Sequence, residues 1–181
     1  MRYKVILLLT LFVMLISGCT DEYDISVYNK SSYPIDFDFT TGHRLNEKIH
    51  LDPGGEWHYS LLKSLGHSMG TITVPPGTYV DYKYSDNTYT FYTAHRLTFN
   101  ANSGSLKKDK KALPALTVIE NEEIQLPDGS ETWERWNSTE GRFYVFSGWA
   151  TTAAGTGTAT VYLLGHSYSF NSTMTLYAQW K

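Results

Sequence analysis

The chain has 181 residues, a formal net charge of −3, 18% charged residues and 15% aromatic ones, among them 14 Tyr, 8 Phe and 5 Trp. That length holds one ordinary domain or two small ones. The acidic balance argues against nucleic acid as a partner, because phosphate binding needs a basic face. The one cysteine, Cys19, rules out a disulfide within the chain, so a hydrophobic core alone must hold the fold.

In chain order, Arg2 and Lys4 come first and an apolar run from Val5 to Ile16 follows. The layout is that of a secretory signal peptide, predicted over residues 1–18, and the run is too short to span a bilayer comfortably. Ile16-Ser17-Gly18-Cys19 resembles a bacterial lipobox. The resemblance implies that Cys19 is diacylated on sulfur, freed by cleavage and acylated on nitrogen. Two or three chains anchor a protein stably, since each buried CH₂ contributes about 0.8 kcal/mol. Without Arg2 and Lys4, 13 basic residues face 18 acidic ones, a charge of −5 on residues 19–181. Residues 19–24 read as the lipidated cysteine and a solvated acidic tether, Thr20-Asp21-Glu22-Tyr23-Asp24. An acidic cluster behind the lipidated cysteine also resembles the surface-export signal of Bacteroidota lipoproteins. Thr20, and not Asp, follows the cysteine, so the best-known inner-membrane retention signal is absent. These resemblances imply a lipid-anchored outer-membrane protein at the cell surface, with a periplasm-facing location as the alternative.

From Ile25 the pattern has period two. Ile25 and Val27, then Ile35, Phe37 and Phe39, alternate with polar residues as half-buried strands do, and Asn29-Lys30-Ser31-Ser32 reads as the turn between them. Asp36 and Asp38 share the opposite face, which is read as a wetted sheet surface and not a catalytic carboxylate pair. Asp52-Pro53-Gly54-Gly55, Pro75-Pro76-Gly77 and Ser85-Asp86-Asn87 are turn signals. Strands are predicted at 57–62, 71–74, 78–84 and 88–93, with Leu61 to His67 as the one place for a helical turn. Short strands at this spacing predict a small β-sandwich over residues 25–94.

A second pattern fills residues 95–181. A strand at Leu97 runs into the loop Asn100-Ala101-Asn102-Ser103-Gly104, and Lys107-Lys108-Asp109-Lys110-Lys111 reads as a solvated turn. Met174, Leu176, Ala178 and Trp180 occupy one face of a final strand. Phe146-Ser147-Gly148-Trp149, Tyr162 to Gly165 and Thr175-Leu176-Tyr177-Ala178-Gln179-Trp180 are similar to the Listeria–Bacteroides repeat, the internalin-type B repeat. Phe99 to Gly104 matches that family's first element with Ser103 in place of a glycine, and Leu126-Pro127 matches its second. The interval from Leu126-Pro127 to Gly148-Trp149 is long for the family and holds Trp133-Glu134-Arg135-Trp136, and a single copy is present. Membership implies a compact β-grasp-like module of cell-surface proteins with no catalytic residues. Gly148, Trp149 and Trp180 read as structural on physical grounds as well. The fold class expected is therefore mainly β.

The residue types of an active site do not assemble in the sequence. Six histidines (43, 50, 58, 67, 95 and 166) lack ligand spacing, and Cys19 is committed to lipid, so no metal or cofactor is expected. Gly155-Thr156-Gly157 lacks the third glycine and the Lys-Ser/Thr of a phosphate loop. Trp133 and Trp136 are the candidate ligand-binding residues, because both fall in the polar, turn-rich stretch 128–142. Exposed indoles stack on sugars or anchor protein interfaces, the alternative being a lid folded over the core. The function expected is non-catalytic binding or adhesion, with a surface protein or glycan as ligand. The alternatives are carbohydrate capture for a glycan-uptake system and a structural subunit of a surface filament.

Overall fold

The computed structural model describes residues 22–42, 46–62, 66–154 and 159–181. Cys19, with the predicted signal peptide, lies outside them, as does the glycine loop at 155–157. The protein is mainly β. The N-terminal part holds β1 (Glu22–Asn29), β2 (Ile35–Thr41), β3 (Asn46–Leu51), β4 (Glu56–Leu62), β5 (His67–Thr73) and β6 (Tyr79–Ser85), and β7 (Thr88–Asn100) continues beyond it. The C-terminal part adds β8 (Ser105–Leu106), β9 (Leu116–Ile119), β10 (Ile124–Gln125), β11 (Trp133–Asn137), β12 (Arg142–Tyr144) and β13 (Phe146–Ala150). Strands β14 (Val161–Tyr162), β15 (Ser167–Tyr168) and β16 (Met174–Trp180) complete it. Among the described residues the helix is one 3-10 turn, Gly129–Glu131.

Strand β1 pairs antiparallel with β4 and parallel with β7, while β2 is flanked by β3 and β5. The two sheets share one apolar core of Ile25 and Val27 from β1, Ile35, Phe37 and Phe39 from β2, and Tyr89 and Phe91 from β7. Period-two alternation puts these residues inward and their polar neighbours outward. Burying each large apolar side chain contributes about 1.5–3 kcal/mol. The turn after β1 is held by Asn29, whose Nδ2 donates to the carbonyls of Tyr33 and Leu51 while its Oδ1 accepts from Ser31.

Three expectations are corrected here. The acidic tether ends sooner than residue 24, because Glu22, Tyr23 and Asp24 pair with Leu62, Leu61 and Ser60. Tyr23 continues the inward parity of Ile25 and Val27, and the exposed acids Glu22 and Asp24 are the outward residues of that same strand. Strand β3 went unpredicted because only its second half alternates, and its exposed Asn46-Glu47-Lys48 reads like loop. The two predicted strands on either side of residue 94 are one strand of 13 residues. Of the segment marked for a helical turn, Leu61 and Leu62 close β4 and His67 opens β5, and residues 63–65 are outside the described set.

That long strand organises the molecule. Its first half pairs with β1 and β6; its second half pairs with β9 and runs parallel to β16. Tyr89 and Phe91 enter the N-terminal core, while Leu97 and Phe99, of the same parity, enter a second one. Polar residues occupy the seam between them. The Thr93 hydroxyl accepts from the Ser32 amide at 2.9 Å, and His95 lies 3.4 Å from the Glu120 carboxylate. The second core gathers Leu97, Val118, Leu126, Trp133, Phe146, Trp149, Phe170 and Leu176.

The segments quoted for the repeat resemblance meet in that second core. Trp149 is fully buried and its Nε1 donates to the Pro127 carbonyl at 2.8 Å. Trp180 Nε1 donates to the Ala101 carbonyl at 3.0 Å, and Asn102 Nδ2 donates to the Ala178 carbonyl at 2.8 Å. Asn102 and Ser103 both take positive φ (49° and 67°), so the loop turns sharply without the glycine.

Candidate functional site

The structure separates the two candidate tryptophans. Trp133 is 4% exposed and meets Trp149 edge-on, with ring centroids 5.7 Å apart. The exposed indole expected at this position is not found: the ring is a wall of the core and meets solvent only at the floor of the groove described below. The reason is the 3-10 turn before it, where the Asp128 side chain accepts from the Ser130 amide and Gly129 packs beneath Phe146 and Trp149. This delivers β11 to the core with Trp133 inward. Trp136, three residues on, takes the opposite parity and is 54% exposed.

Trp136 is paired across a hairpin that the sequence reading did not identify. Strands β11 and β12 are antiparallel, with Trp136 opposite Phe143 and Arg135 opposite Tyr144. Asn137 makes the turn: its Oδ1 accepts from the Thr139 amide at 3.0 Å and its carbonyl accepts from Gly141, which takes φ 66°. Trp136 and Phe143 meet edge to face with centroids 4.9 Å apart, and Phe143 is also 54% exposed. An aromatic pair across two strands contributes about 0.2–1 kcal/mol to the hairpin and leaves outer ring faces for a ligand.

The other hairpin face is ionic. The guanidinium groups of Arg135 and Arg142 lie 5.5 and 5.8 Å from the Tyr144 ring centre. Arg142 Nε donates to Glu140 at 2.7 Å, and this bond, with Tyr144 and Asn137 adding smaller effects, holds the Glu140 carboxyl below its ordinary range. The hairpin base is braced by Val145 and Lys181, whose amides donate to each other's carbonyls at 2.7 and 3.0 Å.

Beside the hairpin lies a groove of about 220 Å³, floored by the aromatic residues Trp133, Phe146 and Trp180 and rimmed by Lys107, Glu134 and Phe143. It is small for a drug-like ligand, whose pockets run to roughly 300–1,000 Å³, but it is open. A second hollow of about 180 Å³ lies on the outer face of β2, between Asp36, Asp38, Lys48 and Thr71. There His50 Nδ1 lies 2.7 Å from Asp36, and its Nε2 lies 3.5 Å from Asp52. The Asp36 hydrogen bond raises the His50 pKa above its ordinary value. Asp36 therefore serves an ion pair on a solvated face. Among the described residues no cluster of three His, Cys, Asp or Glu side chains is placed to hold a metal.

Compared with known proteins, the chain matches no family model, no curated protein and no solved structure.

Sequence reading missed Phe143 and the groove. Alternation does not mark the hairpin, since Trp133 and Trp136 differ in parity and Phe143 to Phe146 is a continuous apolar run; the available signal was Ser138-Thr139-Glu140-Gly141, a polar four-residue connection containing glycine. No sequence signal marks the groove, since Lys107 and Trp180 are 73 residues from one another.

Proposed function

We propose that this chain is a lipid-anchored cell-envelope protein that displays a non-catalytic binding module away from the membrane, at the cell surface. The observation that carries this reading is the parallel pairing of β1 with β7. Strand β1 begins three positions after Cys19, so an acylated Cys19 would lie close to the Glu22 end of that strand. Strand β7 runs in the same direction as β1, away from that end. Its 13 residues extend about 43 Å at ~3.3 Å each and carry the second core with them. The exposed Trp136–Phe143 hairpin then stands on the part of the molecule farther from the anchor, where a partner can reach it.

In the same reading, residues 25–94 form a β-sandwich and residues 95–181 a single module of Listeria–Bacteroides type with a β-grasp-like core. What supports this is the reciprocal packing of the motif segments: Trp149 on Pro127, Trp180 on Ala101 and Asn102 on Ala178. These residues build a scaffold, and the stretch 128–142, within an interval long for the family, supplies the binding surface.

The test is acylation and accessibility of the full-length protein in intact cells. Incorporation of a labelled fatty acid, its loss in Cys19→Ala, and protease digestion of the C-terminal part without membrane rupture are the expected results. Unlabelled protein would remove the anchor from this reading. Labelled protein protected until the outer membrane is broken would move the module to the periplasm.

A further inference from the structure

The groove beside the β11–β12 hairpin carries a charge pattern that points to its ligand. The chain folds back at Lys107, whose amide donates to the Thr132 carbonyl at 3.0 Å, and turns again where the Lys110 amide donates to the Lys107 carbonyl at 3.1 Å. Asp109 takes φ 62° in this turn. Lys107 lines the groove together with Glu134, and Lys108, Lys110 and Lys111 follow it in this turn with Asp109 among them. Among the described residues, none of Lys107, Lys108, Lys110 and Lys111 makes an ion pair, although Lys83 and Arg142 elsewhere do. The rest of the surface differs in sign: over residues 22–94, nine acidic residues stand against five basic ones.

We infer that this groove binds an acidic polysaccharide, with Trp136 and Phe143 receiving the apolar CH faces of its rings and the Lys107–Lys111 turn receiving its carboxylate or sulfate groups. Two independent features converge on that class of ligand. Exposed aromatic rings next to a shallow groove offer stacking faces and few directional contacts, which suits a pyranose ring. Four unpaired ammonium groups in a tight turn repel one another and attract a polyanion, and the acidic remainder of the chain restricts that attraction to this turn, which meets the groove at Lys107. A chain polymer meets both needs, because its rings and its charges repeat side by side. An anionic membrane would meet the lysines alone. The inference rests on the proposed binding role of the hairpin and names its ligand class.

The experiment uses the full chain purified in detergent and measures retention on immobilised polygalacturonate, alginate and chondroitin sulfate. Dextran and fully methyl-esterified polygalacturonate serve as uncharged counterparts. Retention on at least one polyanion is expected, with about tenfold or greater weakening by esterification, by raised salt, by Trp136→Ala and by replacing the four lysines with Gln. Each variant should keep its thermal transition, since all five side chains lie outside the core. Failure to bind any of the three polyanions overturns the inference. So does equal binding of the esterified polymer, which would make the ligand a neutral glycan. Binding that survives Trp136→Ala unchanged, or that a DNA duplex matches, would reduce the site to simple charge attraction and overturns it too. Because the purified protein is assayed, these outcomes are independent of anchoring. An acylated, exposed protein that ignores polyanions would leave the proposed function standing and remove this inference alone.

Discussion

A Cβ added to Gly148 would lie 2.5 Å from the carbonyl oxygen of Tyr162, so β13 can pass β14 this closely only with glycine at that position. Gly148 also takes φ 139°, and the β13–β16 register shifts between Phe146 and Gly148. Close approach and backbone conformation therefore impose the same residue.

Gly148→Ala is expected to destabilise the protein by about 2–3 kcal/mol, through backbone strain and displacement of Tyr162. Urea denaturation monitored by tryptophan fluorescence measures this, because Trp149 is adjacent. A loss below about 0.5 kcal/mol, the range of ordinary surface substitutions, would contradict the packing described.

Trp133→Ala and Trp136→Ala should behave differently although three residues separate them. The first removes a buried ring from the core and is expected to cost about 3–5 kcal/mol. The second removes an exposed ring and one aromatic contact, for about 1 kcal/mol or less. Thermal denaturation of both variants checks the contrast, and equal losses would show that the hairpin is wrongly oriented.

The shared strand predicts coupled stability. Phe91 is fully buried in the first core and Leu97 in the second, and both lie on β7. Phe91→Ala should cost about 3–5 kcal/mol and lower amide protection at Leu97 to Asn100 as well as in β1. Hydrogen exchange reads this residue by residue. Loss of protection confined to residues 22–94 would mean that the two cores open separately.

Two histidines should titrate on opposite sides of the ordinary value of 6.5, which NMR can follow. Burial among Tyr23, Phe39, Tyr84 and Tyr89 depresses the His67 pKa. Its neutral ring therefore stabilises the fold fully above pH 6.5, and that contribution falls as pH drops through the depressed folded-state value. His50 is raised by the Asp36 hydrogen bond, so its contribution is complete below 6.5 and is lost as pH rises through the folded-state value. His67→Phe should remove part of the acid-side decline in Tm, and an unchanged decline would assign that decline to carboxylates.

Much of this protein is legible in one dimension. The inward parity of Ile25, Val27, Ile35, Phe37 and Phe39 is written as alternation, which depends only on the period of an extended backbone. The turns at Asp52 to Gly55 and at Asp86-Asn87 are legible for a similar reason, since their residues satisfy local φ/ψ demands. The mainly-β class follows from such local rules. Tertiary structure decided what depends on contacts between distant segments. Residue 94 looked like a boundary because the residues around it are polar, yet Thr93 and His95 are satisfied by Ser32 and Glu120 and the strand runs through. Trp133 and Trp136 are chemically identical and equally polar in context. One entered the core and the other met solvent because a 3-10 turn at Gly129, packed beneath Trp149, set the parity of the strand that carries them both.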